Sequence, residues 1–201
     1  MCEVKRLNLP VHQFVRMAHE LLKPRIRPGD HVMDGTMGNG YDTLFLWNQV
    51  HPCGRVYAFD VQETALILTR NRLRAAGWDE NMSSVQLIPD SHHRLTAYIS
   101  TPLTAAMFNL GYRPGSDKKI VTQWSYLHQA LESLMQGALS PGGCISIISY
   151  GEHSGGAVEQ RQLAAFLQNL PSANWAVTKF ERINARREAP QLLFVEKLTE
   201  K

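Results

Sequence analysis

The stretch from His31 to Thr43, HVMDGTMGNGYDT, limits the possible folds more than any other part of this sequence. It predicts a short strand over His31 to Asp34, a glycine-rich turn over residues 35–40 and a helix that begins at Tyr41. Glycines suit such a turn because they lack a Cβ, so the backbone can bend sharply and a ligand can approach it closely. A strand, a glycine-rich turn and a helix start together are typical of the nucleotide-binding corner of an open α/β sheet.

Strand and helix signals alternate along the rest of the chain. Strands are predicted at Arg55 to Asp60, Val85 to Ile88, Ala105 to Asn109 and Cys144 to Ser149, and helices at about 11–23, 62–76, 93–99, 122–138 and 157–170. The last two predicted strands, Trp175 to Phe180 and Leu192 to Glu196, follow each other without a helix, which indicates an antiparallel hairpin at the sheet edge.

This order is typical of the Rossmann-like class I methyltransferase fold, an α/β architecture. We expect a mostly parallel seven-stranded sheet with an antiparallel C-terminal hairpin and helices on both faces. We also expect a single domain over residues 1–201, in which residues 1–28 form an N-terminal helical extension packed on the sheet.

Composition narrows the class of protein. The chain has 201 residues, of which 44% are hydrophobic and 19% charged, so a globular domain with a sizeable core is expected. Its formal charge of +3 permits a nucleic-acid partner without requiring one. No apolar run approaches the roughly 18 residues that span a bilayer, and the segment MCEVKRLNLP lacks the apolar core of a signal peptide, so we expect the cytoplasm.

The three cysteines, Cys2, Cys53 and Cys144, are odd in number and widely spaced. Their pattern argues against a disulfide framework and against a thiolate zinc site. Metal binding through His92, His93 and His153 is also disfavoured, because adjacent histidines cannot readily present both rings to one ion and no ligand stands at the right spacing. We therefore predict no metal site.

The acidic residue at the end of the second predicted strand narrows the choice of ligand. Asp60 follows this strand, and in a doubly wound sheet its carboxylate lies beside the end of the first strand, where it can accept hydrogen bonds from both hydroxyls of a ribose. The alternative is that Asp60 only caps the following helix.

Two further acids distinguish between cofactors that use such a corner. A pyrophosphate needs a helix N-terminus without nearby carboxylates, whereas here Asp34 precedes the turn and Asp42 lies in the first turn of the helix. Carboxylates there would attract the ammonium group of S-adenosylmethionine, which favours this cofactor. Asp42 could also stabilise the helix N-terminus, and both roles can coexist.

The sequence Asn109-Leu110-Gly111-Tyr112, directly after the fourth predicted strand, resembles the Asn-Pro-Pro-Tyr motif of amino-directed methyltransferases. In that motif the Asn side-chain carbonyl and the next backbone carbonyl accept hydrogen bonds from the target nitrogen, and the aromatic ring stacks on its base. Two acceptors would hold the nitrogen lone pair toward the methyl group. The alternative is an ordinary loop without a function.

Five motifs in order, VMDGTMGNGYDT, VYAFDVQ, SHHRL, FNLGYRPGSDK and SYGEHSGG, make the resemblance specific. Together they resemble the putative rRNA methylase family, whose characterised members are tRNA 5-aminomethyl-2-thiouridine methyltransferases. The similarity extends from about residue 14 to 197. It implies an S-adenosylmethionine-dependent enzyme that converts 5-aminomethyl(-2-thio)uridine to 5-methylaminomethyl(-2-thio)uridine at the tRNA wobble position, with the tRNA anticodon arm as partner and a monomeric or homodimeric state.

The resemblance also implies the site residues. The methionine end of the cofactor falls to Gly38, Asn39, Gly40 and Asp42, the ribose and adenosine side to Asp60 and Gln62, and the adenine edge to Ser91 and His92, while Asp34, Thr36 and Asn109 complete the predicted cofactor-binding set. Asn109, Leu110, Gly111 and Tyr112 would face the acceptor amine. Of the other predicted substrate contacts, Arg113 and Lys118 would hold phosphates, and Tyr150 would either stack on an anticodon base or simply pack. Asn109 and Tyr112 are the predicted catalytic residues, with His153 as a proton acceptor. The alternative for His153 is a hydrogen-bonding loop histidine.

Several basic residues are candidates for contact with RNA phosphates. They form three groups: Lys23, Arg25 and Arg27; Arg113, Lys118 and Lys119; and Arg182, Arg186 and Arg187. The second group flanks the proposed acceptor site and is preferred, whereas Arg70, Arg72 and Arg74 are interpreted as a solvated helix face. Three alternatives remain for the chain as a whole: a methyltransferase acting on an rRNA base, one acting on a small molecule, and a non-catalytic RNA-binding module of the same fold.

Overall fold

The computed structural model of the protein describes residues 10–110, 123–151, 155–185 and 189–199. The helices are α1 (Pro10–Leu22), α2 (Tyr41–Val50), α3 (Glu63–Ala75), α4 (Trp124–Ser133) and α5 (Gly156–Gln168), with a 3-10 helix at His92–Ala97. The strands are β1 (His31–Asp34), β2 (Arg55–Phe59), β3 (Val85–Ile88), β4 (Leu103–Asn109), β5 (Leu139–Ser149), β6 (Trp175–Phe180) and β7 (Gln191–Lys197).

All seven strands form one sheet in the order β3-β2-β1-β4-β5-β7-β6. The five strands from β1 to β5 run parallel, and β7 pairs antiparallel with both β5 and β6. The predicted mostly parallel sheet with a C-terminal antiparallel hairpin is therefore confirmed. The last six residues of β5 are buried, as expected for a strand covered on both faces.

Helices cover both faces of the sheet. On one face, Phe14, Ala18 and Leu22 of α1 are buried in one cluster with Val32 of β1 and Phe194 of β7. On the other face, Leu127, Leu131 and Leu163 from α4 and α5 join a second cluster with strand residues such as Phe108 and Ile145. The predicted helix near residues 11–23 thus contributes its apolar stripe to the core.

One predicted helix ends earlier than expected. The sequence predicts a single helix over residues 122–138, but α4 ends at Ser133 and a π-helical turn, Leu134–Ala138, follows it. Gly137 in this turn has a φ of 152°, which an L side chain rarely adopts and which ends the helix. The next strand then begins at Leu139 instead of Cys144, because Leu139 pairs with Leu103 across an irregular register.

The topology brings polar residues to one edge of the sheet. The carboxyl ends of β1, β2, β3, β4 and β5 lie side by side there, since parallel neighbours share a direction. The residues at or just after these ends are Asp34, Asp60, Asp90, Asn109 and Tyr150. In the described part of the chain, no helix is long and apolar enough to cross a membrane.

Candidate active site

The glycine-rich turn after β1, residues 35–40, packs closely against other elements on one side, whereas its other side has few neighbours among the described residues. Gly40 has a φ of 77°, and a Cβ there would lie 2.7 Å from the Cα of Thr69 in α3. A Cβ on Gly35 would overlap the ring of Phe108. Gly38, with a φ of 47°, differs, because among the described residues a Cβ there would meet only the Thr36 carbonyl oxygen, 3.8 Å away. The turn therefore packs against α3 and β4 and leaves space beside Gly38.

Asp60 joins this turn to the start of α3. Its Oδ2 accepts a hydrogen bond from the Gly38 N–H at 3.0 Å, and its Oδ1 accepts one from the Gln62 N–H at 2.9 Å. The residue that caps α3 is Gln62, so Asp60 is not the helix cap itself. The structure thus brings together Gly38, Asp60 and Gln62, three of the predicted cofactor residues.

Asp34 ties the turn together internally. Its carboxylate accepts hydrogen bonds from Thr43 Oγ1 at 2.6 Å and from the Thr36 N–H at 3.1 Å. Burial, together with the nearby negative charge of Asp42, raises the pKa of Asp34 to about 7. Because Asp34 is 1% exposed, its carboxylate stabilises the turn from the interior of the protein.

Asp42, in the first turn of α2, has a partner that the sequence gives no sign of. His19 of α1 donates from Nε2 to Asp42 Oδ1 at 2.7 Å, since a carboxylate can only accept. The His19 ring also stacks on Phe45, with ring centroids 3.9 Å apart. The first helix therefore reaches the glycine-rich corner.

Asn109 connects three strand ends. Its backbone N–H donates to Thr36 Oγ1 at 2.7 Å, and its side-chain Oδ1 accepts a hydrogen bond from the Tyr150 hydroxyl at 2.9 Å. Burial and the charge of Asp42 raise the pKa of Tyr150, so its hydroxyl stays protonated and acts as the donor. The amide is thereby fixed with its oxygen toward Tyr150.

The structure describes two further predicted substrate contacts, Leu110 and Tyr150. The Leu110 side chain is buried in the core and its N–H donates to the Ile148 carbonyl at 2.8 Å, so neither group can contact a substrate. Of the two predicted possibilities for Tyr150, stacking on a base or packing, the structure shows packing: its ring lies partly against the core cluster that contains α1, and its hydroxyl donates to Asn109.

The two histidines after β3 face different partners. His92 is buried, its Nδ1–H donates to the Gly35 carbonyl at 2.9 Å, and burial lowers its pKa to about 4, so its ring is neutral. Its Nε2 has no hydrogen-bond partner among the described residues. His93 instead contacts Ser91 Oγ at 2.8 Å and stacks on Tyr126. His92 therefore supports the glycine-rich turn through the Gly35 carbonyl.

Arg72 was interpreted as part of a solvated helix face, and this interpretation is wrong. Its Nε donates to the Asn39 carbonyl at 2.7 Å, and its guanidinium lies 3.5 Å from the ring centroid of Tyr41. It thus clamps the glycine turn to α3. Arg70 and Arg74 do behave as surface residues, since both pair with the partly exposed Glu80.

Asp90 is another residue that the sequence analysis missed. It follows β3 at the same edge, accepts a hydrogen bond from the Tyr98 hydroxyl at 2.7 Å and pairs with Arg94 at 3.1 Å. The bond from Tyr98 is the main cause that lowers the pKa of Asp90. The reasoning that identified Asp60, a carboxylate that follows a parallel strand, would also have identified Asp90.

The predicted RNA-contact residues fall in different places. Arg25 pairs with Glu196 and lies over the ring of Phe194, so it helps attach α1 to β7. Arg182, after β6, donates to Gln13 Oε1 at 2.9 Å. Other predicted residues lie outside the described residues: Gly111, Tyr112, Arg113, Lys118, Lys119, His153, Arg186 and Arg187.

The chain is similar to known proteins over most of its length. A family model described as "Putative rRNA methylase" matches residues 56–196. A relative from Arabidopsis thaliana, named tRNA (mnm(5)s(2)U34)-methyltransferase, chloroplastic, is 36% identical over 186 residues, which cover 89% of this chain and 67% of the relative.

Solved structures also match over nearly the whole chain. One, described as a putative rRNA-methylase from Clostridium thermocellum, superposes with a TM-score of 0.85 at 34% identity, covering 92% of this chain and 97% of that one. Another, described as a putative methyltransferase from Streptococcus mutans in complex with SAH, gives a TM-score of 0.81 at 34% identity with the same coverage.

Proposed function

The chain belongs to the putative rRNA methylase family, and from this premise we propose that it methylates the amine of 5-aminomethyl(-2-thio)uridine at the tRNA wobble position. At the coarser level it is an S-adenosylmethionine-dependent methyltransferase. The acceptor is the proposed part. The observation that carries it is Asn109 at the end of β4, whose side-chain oxygen is fixed by Tyr150 beside the glycine-rich turn.

The residues at the corner fit S-adenosylmethionine. The space beside Gly38 leaves room for a ligand against the backbone. The Asp60 carboxylate lies at the same place, because it accepts a hydrogen bond from the Gly38 N–H. Asp42 brings negative charge toward a ligand ammonium, while a pyrophosphate would be repelled by it. Gly38, Asn39, Gly40 and Asp42 would hold the methionine end, and the further predicted cofactor contacts lie along the same edge.

The chemistry needs an oriented, neutral amine. Bound S-adenosylmethionine supplies an electrophilic methyl group. Asn109 Oδ1 has two acceptor positions, of which Tyr150 takes one. In this proposal the other accepts an N–H of the substrate amine, and the Leu110 carbonyl accepts a second, so the nitrogen lone pair points toward the methyl group.

Further steps rest on residues next to this site. We propose that Tyr112 stacks on the wobble base and that His153 or water takes the proton released by the amine. Arg113 and Lys118 would bind phosphates of the anticodon arm. In support, the Arabidopsis thaliana relative is named for a wobble uridine.

Nucleoside mass spectrometry of tRNA from cells with and without the gene tests the proposal. Loss of the gene should raise the ratio of aminomethyl to methylaminomethyl uridine, and the purified enzyme should restore it in vitro. The asparagine variant Asn109→Ala is the control for catalysis. An unchanged ratio, or a change confined to rRNA nucleosides analysed in parallel, would contradict the tRNA assignment and leave the methyltransferase chemistry in place.

A further inference from the structure

A contact between the first helix and the glycine-rich corner gives α1 a place in the site. His19 donates from Nε2 to Asp42 Oδ1 at 2.7 Å, and its ring lies nearly parallel to that of Phe45, with 3° between the planes. Two separate contacts therefore fix one imidazole against the first two turns of α2. The side chain of His19 is 22% exposed and that of Asp42 is 8% exposed, so the pair is mostly shielded from water.

The charge of Asp42 reaches several parts of the corner. It contributes to the raised pKa of Asp34 at the end of β1 and to the raised pKa of Tyr150 after β5, in both cases after the effect of burial. A buried carboxylate is costly unless a partner stabilises it. The partner here is His19 of α1, more than twenty residues earlier in the chain. The tertiary fold therefore keeps the Asp42 carboxylate in a fixed position.

Resting on the proposed function, we propose that His19 is a positioning residue for the methionine end of S-adenosylmethionine. By binding Asp42 Oδ1, it orients the carboxylate so that Oδ2 faces the cofactor ammonium group. In this proposal α1 lines the cofactor site and also covers one face of the sheet. His19 acts through Asp42 and does not touch the reacting atoms.

Two ligands separate this role from a purely structural one. S-adenosylhomocysteine carries the ammonium group, whereas 5′-methylthioadenosine shares its adenosine and thioether and lacks the amino acid. A residue that only supports the fold would affect both ligands alike. A residue that positions Asp42 for the ammonium group would affect only the first.

The experiment is titration calorimetry of both ligands with the whole protein and its variants. His19→Phe keeps the stack on Phe45 and removes the donor, so S-adenosylhomocysteine should bind about tenfold more weakly, with 5′-methylthioadenosine within about twofold of wild type. His19→Gln places an amide N–H near the former Nε2 and should recover most of the affinity. His128→Phe, which removes a histidine paired with Glu132 on α4, should change neither ligand.

Asp42→Asn keeps the acceptor for His19 but removes the charge, so it should reproduce the selective loss and provides a second variant if His19→Phe does not fold. Equal weakening of both ligands, or undiminished binding of S-adenosylhomocysteine, would overturn the proposal. A glutamine variant as weak as the phenylalanine variant would do so too. Because no RNA is present, these outcomes are independent of whether tRNA is the acceptor.

Discussion

The Tyr150 hydroxyl donates a hydrogen bond to Asn109 Oδ1 at 2.9 Å, which joins the ends of β5 and β4 at the point where a substrate amine would bind. With Tyr150 as the donor, the amide places its oxygen, and not its nitrogen, at this position. A rotated amide would present N–H donors to the substrate lone pair and oppose methyl transfer.

Tyr150→Phe should therefore lower kcat by about tenfold, the worth of one hydrogen bond, with KM for the cofactor nearly unchanged. Steady-state kinetics of methyl transfer to tRNA measure the effect. Adding Tyr150→Phe to Asn109→Ala should cause no further loss, because the amide is already absent. Additive losses in the double variant would show that Tyr150 acts elsewhere. Tyr126→Phe, which removes the hydroxyl of a half-exposed tyrosine, is the matched control.

Asp60 provides the second prediction, on cofactor affinity. Asp60→Asn keeps the size of the side chain but removes its charge, so calorimetry should give about tenfold to hundredfold weaker binding of S-adenosylhomocysteine. Asp30→Asn, before β1 at the opposite edge of the sheet, should leave the affinity unchanged. Equal affinities for wild type and Asp60→Asn would refute the ribose assignment.

The sequence predicted the sheet well because most strands are short, mainly apolar runs with a Gly, Pro or Asp next to at least one end. Its strand ends also predicted the edge that holds Asp34, Asp60 and Asn109. The family membership that the five motifs indicated is confirmed by the family model. Individual residues at this edge could be predicted because the carboxyl ends of parallel strands lie at the same edge of a sheet.

The remaining features depend on contacts between distant parts of the chain. No local pattern shows that His19 reaches Asp42, or that Arg72 binds the Asn39 carbonyl. The same holds for β5, where pairing of Leu139 with Leu103 extends a strand through a Pro-Gly-Gly sequence that locally favours a turn. Such tertiary contacts override local propensity.

Gly40 and Gly77 allow backbone strain to be separated from crowding. Both have a positive φ, 77° and 94°, but a Cβ meets the α3 backbone at Gly40 and, in the part of the chain that the structure describes, nothing within 4 Å at Gly77. Gly77→Ala should destabilise the protein by about 1 to 2 kcal/mol from backbone strain alone. Gly40→Ala should cost about 1 to 3 kcal/mol more because of the collision with Thr69. Chemical denaturation measures the free energy of unfolding of both variants. Equal losses would mean that α3 can move away from residue 40 without loss of stability.

The buried Asp34 predicts a pH dependence of stability. Its pKa is about 7 in the folded protein, above the ordinary value of 3.8, so between these values the folded state binds more protons than the unfolded state. Stability contributed by this group is therefore present at low pH and is lost as pH rises through about 4 to 7. Each pH unit within this window changes the free energy of unfolding by at most about 1.4 kcal/mol.

Asp34→Asn cannot ionise and nearly preserves the shape of the side chain, so its stability relative to wild type should increase as pH rises from 4 to 8. Urea unfolding of both proteins at several pH values gives this difference. Glu159, whose pKa burial also raises to about 7, and His92, whose pKa is lowered to about 4, titrate in both proteins and cancel in the comparison. A stability difference that stays constant with pH would mean that Asp34 remains ionised in the folded protein, with the hydrogen bonds from Thr43 and Thr36 outweighing the effect of burial.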